Sequence, residues 1–324
     1  MEDQKCILSF VIPCYRSEFT IQKVIEEIAQ TVSEREAYDY EIICVNDCSP
    51  DHVYDVLETL AKRDRRIKVV NLAKNMGKHA AVLAGYAYVN GAYIVNLDDD
   101  CQCPTYELWN LLRPVENDEC DVATAKYRRK KQAFWKNAGS AFNAAVGSVM
   151  LDKPRDLRME NFRVLKRFVV DEIVKYTNPY PYIEGLILRV TNRILCVEME
   201  ERERGDGQGT GYTFMRSLAL FVNGFTAFSV KPLRLSTFVG FFTAVIGFIS
   251  AIILVIRKIL KPSIVIGYTS TVVIQLLIGG LILMSLGLVG EYVGRIYISI
   301  NRSPQYVVRN TINCDISSED FGKM

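Results

Sequence analysis

The sequence predicts an α/β protein: a mostly parallel sheet with crossover helices, followed by a two-helix membrane hairpin. Three observations carry this. Apolar runs alternate with helix-period segments across residues 5–97. A polar cluster closes each apolar run. Two long stretches near the C-terminus hold no charged residue.

Residues 5–12 are an apolar run closed by Pro13, which reads as a buried strand. Ile21, Val24, Ile25, Ile28 and Val32 recur at helical spacing. Residues 41–45 give a second strand, closed by the turn Asn46-Asp47-Cys48-Ser49-Pro50. Val53, Val56, Leu57 and Leu60 mark a second helix. Residues 67–72 read as a third strand, 77–90 as a third helix and 92–97 as a fourth strand. Parallel strands joined this way need right-handed crossovers. Ligands of such sheets sit beyond the carboxyl ends of the strands. The polar clusters 13–18, 47–51, 74–79 and 98–102 fall there.

The two uncharged stretches are residues 235–256, 22 residues, and 262–290, 29 residues. A helix rising 1.5 Å per residue crosses a ~30 Å hydrocarbon core in about 20 residues. Arg257, Lys258 and Lys261 lie in the short turn between them. Lys231, Arg234, Arg295, Arg302 and Arg309 flank the outer ends and outnumber the turn five to three. The larger count places both chain ends in the cytoplasm.

Composition narrows the class. With 324 residues, 49% hydrophobic and 23% charged, the chain is neither disordered nor a small disulfide scaffold. A net charge of +2 gives no reason to expect nucleic acid as a partner. Residues 1–230 carry 30 Lys+Arg against 33 Asp+Glu, and residues 231–324 carry 9 against 4. The basic excess thus lies on the apolar half, where it can face lipid headgroups. No secretory signal opens the sequence, so the nine cysteines are expected as reduced thiols. Cys101 and Cys103 form a C-x-C with no second pair nearby, which argues against zinc.

No G-x-G-x-x-G follows the first strand and no Walker A lysine motif appears, which excludes a standard dehydrogenase or P-loop NTPase. His52 and His79, the two histidines, belong to no readable nucleophile triad. Asp98, Asp99 and Asp100 end the fourth strand. Three adjacent carboxylates repel one another unless a cation neutralises them. Oxygen ligands on such a loop suit Mg²⁺ or Mn²⁺ shared with substrate phosphates. Asp47 ends a neighbouring strand. Arg128, Arg129, Lys130 and Lys131 precede an amphipathic stretch, 133–150, and can meet a phosphate.

At these residues the chain resembles the family 2 glycosyltransferases of GT-A fold, and among them the polyprenyl-phosphate glycosyltransferases. Val11-Ile12-Pro13-Cys14-Tyr15 with Glu18 is similar to their opening V-I-P-x-Y-N-E. Residues 41–51 resemble E-I-x-x-V-D-D-G-S-x-D, with Asn46 and Cys48 as departures. Asn75-Met76-Gly77-Lys78-His79-Ala80-Ala81 resembles N-x-G-K/Q-x-x-A. Leu97-Asp98-Asp99-Asp100-Cys101-Gln102-Cys103-Pro104 resembles L-D-A-D-L-Q-x-P. Residues 287–297 are similar to the second membrane helix of the undecaprenyl-phosphate members.

The resemblance implies roles position by position. Pro13, Tyr15, Glu18, Asp47, Asp98 and Asp99 would hold the nucleotide. Asp98, Asp100 and Gln102 would bind Mg²⁺ or Mn²⁺. Arg128 and Arg163 would meet the acceptor phosphate. Asp98, Asp100 and Arg204 would be the catalytic set. The Arg204 segment is one residue longer before Tyr212 than the family pattern. The implied organisation is a GT-A domain over 1–212, a juxtamembrane segment over 213–234, a hairpin over 235–294 (helices 235–256 and about 266–290) and a cytoplasmic tail over 295–324. The implied activity is inverting transfer from a nucleotide sugar, expected to be a UDP-sugar, to a polyprenyl phosphate, expected to be undecaprenyl phosphate. The product would be a lipid-linked sugar for cell-envelope glycans. A multi-pass inner-membrane protein with a cytoplasmic catalytic domain follows, as does a homo-oligomer, with a tetramer suggested. Two other readings stand. A processive polysaccharide synthase usually carries Q-x-x-R-W, which is absent around Trp109 and Trp135. A non-catalytic nucleotide-sugar-binding subunit would bind donor without turnover.

Overall fold

The computed structural model describes residues 5–127, 157, 159–179, 181–200, 202, 231–260, 268–301 and 304–314. The chain divides into two compact units: Met1–Gly211 with Arg302–Met324, and Tyr212–Asn301.

The first unit is built on an eight-stranded sheet. Its strands are β1 (Cys6–Cys14), β2 (Tyr38–Asn46), β3 (Ile67–Leu72), β4 (Tyr93–Asn96), β5 (Val122–Tyr127), β6 (Arg163–Lys166), β7 (Ile194–Met199) and β8 (Val308–Ile312). They lie in the order β7-β5-β6-β4-β1-β2-β3-β8. The central strands β4, β1, β2 and β3 are mutually parallel, as their spacing predicts. Strand β6 runs antiparallel to β4 and β5, and β8 runs antiparallel to β3.

Helices α1 (Ile21–Ser33), α2 (Val53–Arg63), α3 (Lys78–Tyr86) and α4 (Leu108–Glu116) follow the first four strands. Both faces of the central strands are covered, so they read as continuous apolar runs. Leu8, Phe10 and Ile12 of β1 share one core with Val24, Ile28, Leu57 and Leu112. Val11, Ile43 and Val45 point the other way, against α3. A Cβ on Gly85 would stand 2.6 Å from the Val11 side chain, so glycine lets α3 lie flat on the sheet. Helices α5 (Arg167–Val174) and α6 (Ile183–Val190) pack beside α3.

At the end of the sheet opposite the polar loops, Glu41 pairs with Lys68 at 2.8 Å and accepts from Ser9 Oγ at 2.6 Å. Both charged side chains are buried. The motif glutamate of β2 therefore has a structural partner. None of the nine cysteines forms a disulfide.

The second unit contains α7 (Lys231–Leu260) and α8 (Tyr268–Ile300). Helix α7 exceeds the expected 235–256 at both ends, and α8 runs past the expected 290 to Ile300. Ser236 and Ser285 hydrogen-bond across the pair at 2.8 Å. Large apolar side chains stand exposed on both helices, among them Phe238, Phe248, Ile282, Leu283 and Leu286. Among the described residues one segment, Ile278–Ile300, is long and apolar enough to cross a membrane; Ser236–Ile249 is apolar but shorter.

The expected tail also contains structure. Residues after α8 return to the first unit, where β8 pairs with β3. The basic run 128–131, the stretch 133–150 and most of 213–234 lie outside the described residues.

Candidate active site

The carboxyl ends of β1 to β4 carry four loops, and hydrogen bonds tie them into one surface. Hydrogen bonds join loop 14–20 to loop 47–52. Arg16 N donates to Ser49 Oγ at 2.7 Å, Glu18 N donates to Asp51 Oδ2 at 3.1 Å, and His52 N donates to Glu18 Oε2 at 2.9 Å. Glu18 thereby satisfies a donor at the start of α2, where an anion also favours the helix dipole. Arg16 and Cys48 adopt left-handed φ values of 59° and 48°.

Asp47 is buried behind these loops. Its two oxygens accept Met76 N at 2.8 Å and Gly77 N at 2.9 Å. Gly77 sits at φ 87°, the conformation that starts α3. Burial raises the pKa of Asp47, and these two bonds oppose the rise. The residue expected at the nucleotide therefore also organises the loop that presents Lys78.

The acidic turn after β4 is held from both sides. Tyr15 N donates to Asp99 Oδ2 at 2.9 Å, and Thr20 Oγ1 donates to the Asp99 carbonyl at 2.6 Å. Lys78 Nζ pairs with Asp98 Oδ1, and Asn161 Nδ2 donates to Asp98 Oδ2 at 3.0 Å. Gln102 N donates to Asp100 Oδ1 at 3.1 Å. Cys101 takes φ 61°, which turns the chain back. Although the residue keeps some exposed surface, crowding of its carboxylate pushes Asp99 up to about 6; burial is the main cause, and Asp98 and Asp100 add to it. Burial pushes the Cys103 thiol up to about 12.

Of the expected site residues, Tyr15, Glu18, Asp98, Asp99, Asp100 and Gln102 come together at this edge. Pro13 is buried within β1, paired with Val45. Arg163, the first residue of β6, sits beside Asn96 of β4. It is 2% exposed, and its guanidinium faces Glu184 at 3.5 Å. Arg128 and Arg204 lie outside the described residues. The sequence reading missed the roles of Lys78, Asn161 and Glu184. Lys78 stood within a quoted motif, and Asn161 stands two positions before Arg163. Glu184 is a lone carboxylate in the apolar run Ile183–Val190.

Among the described residues no group of three or more His, Cys, Asp or Glu side chains is arranged to hold a metal ion. The donor chemistry nonetheless fits a hard cation. The turn carries three adjacent carboxylates, of which Asp98 pairs with Lys78. Mg²⁺ and Mn²⁺ sites of this kind use one or two carboxylates and leave positions for substrate phosphates.

Residues 9–174 match the Glycosyl transferase family 2 domain. This chain belongs to glycosyltransferase family 2. Its catalytic unit has the GT-A architecture, a mostly parallel mixed sheet with helices on both faces. Residues 231–296 of this family 2 glycosyltransferase match the GtrB C-terminal hairpin. It is 31% identical over 303 residues to the uncharacterized glycosyltransferase YkcC of Bacillus subtilis, covering 94% of this chain and 93% of the other. It is 28% identical to the undecaprenyl-phosphate 4-deoxy-4-formamido-L-arabinose transferase of Proteus mirabilis, covering 94% of each. The bactoprenol glucosyl transferase of Shigella phage SfV is 28% identical, with 94% of this chain and 98% of that protein covered. The glucosyl-3-phosphoglycerate synthase of Mycobacterium tuberculosis, crystallised with Mn²⁺ and UDP-glucose, is similar at 17% identity and a TM-score of 0.48, covering 67% of this chain and 76% of that one.

Proposed function

We propose that this glycosyltransferase moves a sugar from a nucleoside-diphosphate sugar, a UDP-sugar, to a polyprenyl phosphate, undecaprenyl phosphate, at the cytoplasmic face of the inner membrane. One observation carries the reading: a family 2 catalytic unit with an acidic turn shares its chain with the hairpin of GtrB. The likeness to transferases named for undecaprenyl phosphate and bactoprenol extends along 94% of the chain and supports the acceptor. The exposed apolar side chains of α7 and α8 support a membrane partner. Both helices crossing the bilayer, and a homo-oligomeric assembly, belong to the same proposal.

An oxygen of the acceptor phosphate attacks the anomeric carbon. The new C–O bond forms as the bond to the diphosphate oxygen breaks, and the configuration inverts. The attacking phosphate is already anionic near neutral pH, so no strong general base is needed. Tyr15, Glu18 and Asp47 shape the nucleotide side, with Pro13 buried beneath them. Asp98, Asp100 and Gln102 would hold Mg²⁺ or Mn²⁺, which when bound offsets charge growing on the leaving diphosphate. Arg204 assists there. Arg128 meets the acceptor phosphate by contact, and Arg163 supports the same side from within. Holding a water-insoluble acceptor against a soluble donor supplies further rate through positioning.

The test is transfer of label. Purified full-length protein with undecaprenyl phosphate, Mg²⁺ and a panel of labelled nucleotide sugars should move label into the organic phase for one sugar. Label that stays aqueous with every donor would leave the binding-subunit reading standing.

A further inference from the structure

A ring of side chains closes around Asp98. Lys78 and Asn161 hold its two carboxylate oxygens. Asn161 leads into β6, and Arg163 opens that strand. Arg163 Nη1 lies 3.5 Å from Glu184 Oε1. Glu184 Oε2 lies 3.7 Å from His79 Nδ1, and His79 follows Lys78 on α3. Three separate elements, α3, β6 and α6, are thus joined through one carboxylate.

The character of this contact matters. The Glu184 side chain is 13% exposed and that of Arg163 2%. Arg163 Nε, Arg163 Nη1 and Glu184 Oε2 are buried without a hydrogen-bond partner. Attraction between the Glu184 and Arg163 charges, rather than hydrogen-bond geometry, therefore holds this contact, whereas burial lowers the pKa of His79 and favours its neutral form beside Glu184. An uncharged residue of the same shape would not replace it. A buried polar cluster left incompletely bonded is costly and needs a reason.

We propose that Glu184 is a positioning residue for Asp98. Its charge holds Arg163 and its side chain packs against His79, which fixes the Asn161 and Lys78 arms that orient the Asp98 carboxylate. This rests on the reading of Asp98 as a group that serves the donor diphosphate and its cation.

The experiment uses the full chain in detergent and titrates Mn²⁺ by calorimetry in the presence of UDP. Glu184→Gln keeps the shape and removes the charge. It should weaken Mn²⁺ binding by about 10–100-fold, as loss of a group orienting a metal ligand does. Glu184→Asp should restore part of that binding. Glu172→Gln, at an exposed carboxylate on α5 paired with Lys175, should bind as wild type. A folded Glu184→Gln protein with wild-type Mn²⁺ affinity overturns the proposal. If Glu184→Gln does not fold, His79→Gln opens the same ring at a side chain 34% exposed and decides by the same readout. Asp100→Ala separates the two readings. If it binds Mn²⁺ and UDP unchanged, the underlying assignment of the acidic turn fails. If it loses binding while Glu184→Gln does not, the positioning role alone fails.

Discussion

Asn310 Oδ1 accepts a hydrogen bond of 2.8 Å from Asn71 Nδ2, across 239 positions of sequence. Asn71 Oδ1 in turn accepts Asn46 Nδ2 at 2.9 Å, and Asn46 Oδ1 accepts Ser49 N at 3.1 Å. A line of amides thus runs from the last strand, after the hairpin, to the turn that follows β2. It accounts for Asn46 where the family pattern has Asp. An aspartate in this buried spot could not donate to Asn71.

Cutting that line should be measurable. Asn310→Ala removes the partner of both Asn71 and Tyr54. A loss of about 1–2 kcal/mol is expected, at about 0.5–1.5 kcal/mol per hydrogen bond. A chain stopped after residue 301 should go further and leave the β3 edge unpaired. Light scattering should then report association through that edge.

Asp100→Ala should lower lipid-linked transfer by at least about 10²-fold while leaving the thermal midpoint close to wild type. Losing one group that stabilises leaving-group charge typically costs this much. Retention of full transfer would remove the acidic turn from the reaction.

Asp47→Ala should act on both stability and donor binding. It strips the acceptors from Met76 N and Gly77 N, and an unpaired buried donor costs about 1–3 kcal/mol. The loop carrying Lys78 loosens with it. Thermal melting should fall, and the donor KM should rise more than kcat falls.

Glu41 sets a pH dependence. Burial alone would raise its pKa, but Lys68, Ser9 and the Asn90 backbone bring it below the usual 4.5. The folded value is therefore depressed. Its stabilisation is present above pH 4.5 and is lost as pH falls through the lower folded value. Denaturation curves of wild type should show this loss, and those of Glu41→Gln should lack it. At neutral pH Glu41→Gln should be less stable by about 3–5 kcal/mol, because Lys68 is left buried without its counter-ion.

Val289 lies within Ile278–Ile300, the described segment apolar enough to cross a bilayer. Val289→Arg should cost about 2.5–3.5 kcal/mol of insertion free energy. The protein should shift from the carbonate-resistant membrane fraction toward the wash. Unchanged partition would place this segment away from lipid.

The first four strands and their carboxyl-end loops were legible because each strand is a short apolar run bounded by turn residues. Residues 67–72 matched β3 at both ends. Strand β8, Val-Arg-Asn-Thr-Ile, is short and half polar, and its place depends on pairing with β3 from far along the chain. Pattern within a window does not contain that information. Asp98 stood out among adjacent carboxylates, but its partners did not. Lys78 comes from α3 and Asn161 from the segment before β6, while Glu184 of α6 meets Arg163 and His79, and only the fold brings them to one edge. Likewise Arg163 read as a phosphate ligand by position, whereas its burial follows from where β6 inserts beside β4.

The placement of β8 also orders events during synthesis. A ribosome finishes both hydrophobic helices before it releases the strand that covers β3. Until then the nascent catalytic unit carries a bare strand able to pair with a neighbour. Completion of the fold is therefore timed to follow emergence of the hairpin, and any message truncated within that hairpin yields a protein lacking its last protective seam.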